Sequence, residues 1–310
     1  MIIYREHSSL ETDLGCSAKM LYTLSNTINS HYHETSVPKG NGEYRKLFVP
    51  DEELKAVQKK ITNVILNRIE LSPYATAYRF GGSPLKNAKP HAGHAMLLKL
   101  DIRHFFDKIT YALVRNIVFN DRIFSESNGV LLSVLCCYKG CLPQGAPSSP
   151  AISNIIMRDF DNTVGSWCRE RGITYTRYCD DMTFSGVFEP SVLKCFVSGE
   201  LGKLGFFLNE KKTVCVCNGQ KMSVTGIVVN QKPNVAASYR KNVRQEMYYC
   251  KKYGIRSHLE KKGNTDNETV YLRKLLGRIN YVLSVDPNNS EFIGYKTRIK
   301  EKLCGKTTDA

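Results

Sequence analysis

The feature that most restricts this chain lies past its middle. The run Ile173, Thr174, Tyr175, Thr176, Arg177 and Tyr178 is followed by Cys179-Asp180-Asp181 and then by Met182, Thr183, Phe184 and Ser185. β-Branched and aromatic residues suit pleated, half-buried strands, so two such runs around one polar point predict a hairpin with carboxylates at its tip. A short apolar run, Leu97-Leu98-Lys99-Leu100-Asp101-Ile102, predicts a strand that ends at a third carboxylate. A further strand is expected at 44–49 and a strand pair at 213–217 and 224–229. Pro50-Asp51 opens a helix in which Leu54, Val57, Ile61, Val64 and Ile65 share one face, and residues 236–303 read mostly as helix. This mixture predicts an α+β fold.

With 310 residues, 42% hydrophobic and 24% charged, the chain has apolar material for a real core and is too polar to be a membrane protein. Arg5, Glu6 and Glu11 interrupt the apolar run that an export signal would need, and no membrane partner is expected. The 11 cysteines are scattered without zinc-type spacing and read as free thiols in a reducing cytoplasmic setting. Residues 1–43 read as a helical, partly polar extension that closes at the breaker cluster Pro38-Lys39-Gly40-Asn41-Gly42. A net charge of +15 points to a polyanionic partner, and residues 231–310 hold 17 Lys/Arg against 8 Asp/Glu, a balance of +9. The basic excess therefore sits at the C-terminal end.

Two or three aspartates converging from different strands are what phosphoryl transfer with two divalent ions requires. The ions stand about 3.5–4 Å apart, one activating the attacking hydroxyl and the other holding the leaving group. Mg²⁺ takes few carboxylates and keeps its other positions for water and phosphate oxygens. Asp101, Asp180 and Asp181 meet this need. Neighbours on a regular strand point to opposite faces, so Asp180 and Asp181 share one site only if the turn bends the backbone between them. Asp101 and Asp180 are expected as the main ligands and Asp181 as the looser one. An isolated Asp-Asp pair is also ordinary turn chemistry, so its neighbours decide.

Those neighbours form a set. Tyr178-Cys179-Asp180-Asp181 resembles the YxDD box of reverse transcriptases, and Leu142-Pro143-Gln144-Gly145-Ala146-Pro147-Ser148-Ser149-Pro150 resembles their LPQGxxxSP segment. Asp101-Ile102-x-x-Phe105-Phe106 is similar to the first aspartate motif and Leu208-Asn209-Glu210-Lys211-Lys212-Thr213 to the later lysine motif. Asn87-Ala88-x-x-His91 and Val224-Thr225-Gly226 resemble the NAxxH and VTG signatures of retron reverse transcriptases, bacterial enzymes that make a branched RNA-linked DNA. Cys179 departs from the alanine common at its position and is small enough to replace it.

The resemblance implies a right-hand polymerase, with residues 44–230 as fingers and palm and residues 231–310 as a basic helical thumb. It implies two Mg²⁺ ions, with Mn²⁺ as a substitute, held by Asp101, Asp180 and Asp181. It places Arg45, Arg79, Phe106, Gln144 and Lys212 around the incoming dNTP, with Phe106 excluding a 2′-OH and Phe105 as the better core aromatic. Lys211 is expected to face away from Lys212 if the segment is extended. Asn87, His91, Val224, Thr225, Gly226, Tyr239, Arg240, Lys241 and Arg244 are its candidate RNA contacts, and the aromatics interleaved with cations through Tyr248, Tyr249, Lys251 and Lys252 suit structured RNA. The implied partners are a cognate non-coding RNA, its DNA product (msDNA), dNTPs, a separate effector protein in anti-phage defence and a host ribonuclease H acting in trans. A non-retron bacterial reverse transcriptase, of the group II intron or another defence type, is the alternative reading. A catalytically silent RNA-binding scaffold is disfavoured because all three aspartates are present.

Overall fold

In a computed structural model of the chain, the structure describes Tyr4 and residues 6–38 and 42–305. These form two compact units. The first comprises Met1–Gly82 and Leu98–Cys215, and the second Ser83–Leu97 and Val216–Ala310. Two of the three divisions fall inside strands and the third precedes the helix Pro84–Ala88, so the expected boundary at 230/231 is not where the units part. Residues 83–97 and 216–230 are built into the C-terminal unit because Ala88, Leu97, Met222, Val224, Ile227 and Val229 share its apolar core.

The first unit is organised by a four-stranded sheet. Its strands are β3 (Met96–Asp101), β4 (Thr174–Tyr178), β5 (Asp181–Gly186) and β6 (Val214–Cys217), in the order β4-β5-β3-β6. A separate hairpin pairs β1 (Tyr32–Pro38) with β2 (Tyr44–Pro50), with Tyr32 opposite Pro50 and Pro38 opposite Tyr44. The N-terminal segment is therefore not helical throughout. His7–Leu14 and Ala18–Asn26 are helices, but the chain turns extended from Tyr32 because the β2 edge supplies backbone partners that local propensity does not count. Lys39, Gly40 and Asn41 of the breaker cluster lie outside the described residues, as does Arg5.

The helix Glu52–Val64 begins as its sequence predicts. The Asp51 side chain accepts from the Leu54 N–H at 2.9 Å, Glu52 and Glu53 fill the first turn, and Leu54, Val57 and Ile61 are buried. Gln58 lies on the same inward face, where its Nε2 donates to the Leu135 carbonyl and the Tyr32 hydroxyl, each at 2.8 Å. The helices Ser149–Ile156 and Arg158–Glu170 present Ile152, Ile155, Phe160 and Val164 to the same core as Met182 and Phe184 of β5.

The expected pair of 213–217 with 224–229 does not form, because β6 pairs with β3 and residues 224–229 fold on themselves as a tight hairpin of β7 (Ser223–Val224) and β8 (Ile227–Val228), joined by β9 (Asn234–Val235). Val224 pairs with Ile227, leaving Thr225 (φ 45°) and Gly226 (φ 81°) as the turn. Positive φ at both central residues matches strand twist in a two-residue hairpin, which is why glycine is needed there. Four helices follow, Ala237–Tyr253, Ile255–Lys261, Glu268–Val285 and Ser290–Leu303. Among the described residues no helix is long and apolar enough to cross a membrane, and all 11 cysteines are free thiols.

Candidate active site

Asp101 closes β3 and is 4% exposed. Its carboxylate accepts from Lys212 Nζ at 2.8 Å and from Asn209 Nδ2 at 3.0 Å, and its carbonyl accepts from the Asn209 N–H at 2.8 Å. The hydrogen bond to Asp101 raises the Lys212 pKa, so the ammonium stays charged. Glu210–Lys212 is a 3₁₀ turn and not extended chain, so a strand alternation does not set where Lys211 points.

Tyr178 and Asp181 face each other across the hairpin, and Cys179 and Asp180 form its turn. Cys179 has φ 62°, the left-handed region. That conformation supplies the bend that two adjacent aspartates need to serve one site. The Asp180 carbonyl accepts from the Ile102 N–H at 3.1 Å, so the turn is stitched to the residue after Asp101. Asp181 is half-buried. Burial pushes its carboxyl pKa up, the charges of Asp180 and Asp101 add to this, and Lys99 and Lys212 oppose it.

Three carboxylates thus meet at one junction, although among the described residues no three His, Cys, Asp or Glu side chains stand as a closed ligand group. The oxygens of Asp101 are engaged by Lys212 and Asn209. The donor set still fits hard divalent cations, since it is all oxygen and its mutual repulsion is what a cation relieves.

The other expected residues divide. Phe105 is buried and Phe106 half-buried beside it, with ring centroids 5.3 Å apart. Gln144 is half-buried, and its carbonyl accepts from the Phe48 N–H of β2 at 2.8 Å. Gly145 has φ 123°, and a Cβ there would lie 2.8 Å from the Phe48 carbonyl, so the loop closes on β2 only with glycine. Arg45 is exposed on β2. Arg79 is committed to its own loop, with Nη1 donating to the carbonyls of Ser72 at 2.9 Å and Ala75 at 3.1 Å.

Of the retron-signature residues expected to contact RNA, three are interior, which corrects the expected role of Asn87, His91 and Val224; Thr225 is half-buried and Gly226 exposed. Asn87, His91 and Val224 are 0% exposed. Burial pushes the His91 imidazole pKa down to about 3, so the ring is neutral. Thr225 Oγ1 donates to the Pro84 carbonyl at 3.0 Å, joining the β7–β8 turn to the helix Pro84–Ala88. These residues build the second unit; polar type alone does not reveal burial. Tyr239 is half-buried against Tyr281, with Arg278 over its ring, and Arg240 is half-buried. Lys241 is exposed. Arg244 gives Glu291 three hydrogen bonds of 2.7–2.9 Å and so fastens Ala237–Tyr253 to Ser290–Leu303.

Sequence reasoning missed Arg177, a wholly buried arginine inside β4 that pairs with Asp161 and reaches the Cys179 carbonyl. Its signal was a charge at a strand position that shares a face with Tyr175, where only a buried partner makes burial tolerable.

Residues 37–265 match the family model described as reverse transcriptase (RNA-dependent DNA polymerase). The chain is 30% identical to the Retron Ec86 reverse transcriptase of Escherichia coli over 294 residues, covering 92% of this chain and 87% of that protein. It is 28% identical to the Retron Mx65 reverse transcriptase of Myxococcus xanthus, covering 93% of this chain and 70% of the relative, and 29% identical to the Retron Ec83 reverse transcriptase of Escherichia coli, covering 83% and 84%. With the carboxylate junction, the ordered motifs and these relatives in agreement, the chain belongs to the retron reverse transcriptases and is an RNA-directed DNA polymerase of the right-hand class.

Proposed function

We propose that this polymerase copies part of its own structured RNA into a branched, RNA-linked DNA begun from the 2′-OH of an internal guanosine. The observation that carries this reading is the junction of Asp101, Asp180 and Asp181 in a chain whose relatives are retron enzymes. In this reading Asp101 and Asp180 are the main ligands of two Mg²⁺ ions, and Asp181 the looser one. Bound there, the ions would lower the pKa of the attacking hydroxyl and stabilise charge on the leaving pyrophosphate. Lys212 leaves Asp101 for the substrate's phosphates, a move its exposed stem permits. Phe106 supplies a wall against a 2′-OH on the incoming sugar, Gln144 lines the same face, and Arg45 reaches the triphosphate. Arg79 acts there only if it gives up its two carbonyls.

The C-terminal helices serve as the thumb. Lys241 and the exposed cluster of Tyr248, Lys252, Tyr253 and Lys261, in which Lys252 lies 5.1 Å from the Tyr253 ring and Lys261 4.6 Å from it, offer charge and stacking surface to single-stranded RNA. The proposal extends to the cytoplasm as the place of action, to anti-phage defence with a separate effector, and to a host ribonuclease H that trims the template. The test is to copurify the nucleic acid and map the 5′ end of its DNA. A 2′,5′ branch opened only by a debranching enzyme is expected; a product begun from an ordinary 3′-OH primer keeps the polymerase and removes the retron reaction.

A further inference from the structure

The turn that carries Asp180 rests on a polar network that the mechanism above does not use. Arg177 and Asp161 are both 0% exposed. Arg177 Nε donates to the two Asp161 oxygens at 2.8 and 3.1 Å, and Nη2 donates to Oδ2 at 2.6 Å and to Asn154 Oδ1 at 3.2 Å. Asp161 also accepts from the Tyr175 hydroxyl at 2.8 Å, and Asn154 Nδ2 donates to the Ala77 carbonyl at 2.8 Å. That leaves Nη1, which donates to the Cys179 carbonyl at 2.8 Å.

A buried ion pair is weak as a source of stability, because desolvation offsets most of its attraction. What this one does locally is specific. Each of the two peptide planes that flank Asp180 takes a hydrogen bond from outside the turn. The Cys179 carbonyl is held from inside by Arg177, and the Asp180 carbonyl is held by the Ile102 N–H beside Asp101. Cys179 sits at φ 62°, which L side chains adopt at a cost and which persists where the surroundings over-determine it.

We infer that Arg177, clamped by Asp161 and Asn154, is a positioning residue for DNA synthesis that fixes the direction of Asp180 toward Asp101. The inference rests on reading Asp180 as a metal ligand. Only the guanidinium fork can satisfy Asp161, Asn154 and the Cys179 carbonyl at once; a lysine ammonium is a single point.

The test compares wild type with Arg177→Lys and, at the far end of the fork, Asn154→Ala. Three quantities are read: hydrogen exchange of the Ile102 amide, Mn²⁺ affinity by electron paramagnetic resonance, and kcat against KM for dNTP. Arg177→Lys should speed Ile102 exchange at least tenfold, weaken Mn²⁺ at least tenfold and lower kcat more than tenfold, with KM within threefold of wild type. Asn154→Ala should move the same quantities in the same direction by threefold or more. Exchange and Mn²⁺ affinity within twofold of wild type in either folded variant overturns the inference, as does failure of both variants to fold, which makes the network a folding element only. Asp180→Asn separates the two readings. If that variant retains activity, the ligand assignment itself falls; if it is inactive while Arg177→Lys is normal, only the positioning role falls.

Discussion

Asp180→Asn keeps the size of the side chain at the hairpin turn and removes its charge. If the carboxylate holds an ion that stabilises several kcal/mol of transition-state charge, extension of a primed RNA should fall by roughly 10³-fold or more while RNA binding and the circular dichroism spectrum stay as in wild type. Near wild-type extension would end the assignment. Phe106→Val removes the half-buried ring proposed to meet the sugar and keeps the buried Phe105, though it removes the edge contact between the two rings. Incorporation of NTPs relative to dNTPs should rise, and unchanged discrimination returns Phe106 to the core. Gly145→Ala places a Cβ 2.8 Å from the Phe48 carbonyl at φ 123°. A loss of about 1–3 kcal/mol in denaturant midpoint experiments is expected, with a weakened hold of the Gln144 loop on β2.

Among the elements, one carboxylate ties together three of the four C-terminal helices, Ala237–Tyr253, Ile255–Lys261 and Glu268–Val285. Glu246 of Ala237–Tyr253 accepts from Tyr271 at 2.5 Å, lies 2.7 Å from His258 Nε2, pairs closely with Lys262 and is 3.8 Å from Arg278. Burial works against its charge, but the hydrogen bonds from Lys262, Tyr271 and His258 prevail and hold the carboxyl down at about 2. A carboxyl depressed in the folded state adds stability above its unfolded value, near 4.5, and loses that stability as pH falls from there toward 2. The wild-type protein should therefore lose on the order of 2 kcal/mol from this group on acidification through that window. Glu246→Gln should be less stable at pH 7 and should lack that part of the acid slope. Parallel pH profiles for the two proteins would contradict it.

For the molecule as a whole the question is which RNA it takes. A net charge of +15 gives any RNA an attraction that falls steeply with salt. Recognition of shape and of unstacked bases by the Tyr248, Lys252, Tyr253 and Lys261 surface should survive that fall. Affinities for the proposed cognate RNA and for a scrambled copy, at two salt concentrations, are expected to converge little as salt rises. Equal affinities at the higher salt would mean that phosphate attraction is the whole of the binding.

Much of the reaction centre is local in sequence. The apolar run ending at Asp101 and the two β-rich runs around Cys179-Asp180-Asp181 predict strand ends and a turn, because strand propensity and turn chemistry act over a few residues. The Asp51 cap and the buried face of Leu54, Val57 and Ile61 were equally readable. What the tertiary structure decided were the partners. The β2 edge makes 32–38 a strand; the interior of the second unit takes Asn87, His91 and Val224 away from RNA; and Lys212 comes to rest on Asp101. The buried fork of Arg177 belongs with these, since Asp161, Asn154 and the Cys179 carbonyl meet it only after two helices pack behind the sheet. Propensity and periodicity are set by neighbours along the chain, whereas burial and hydrogen-bond partnership depend on which distant segments arrive, and that is settled by packing.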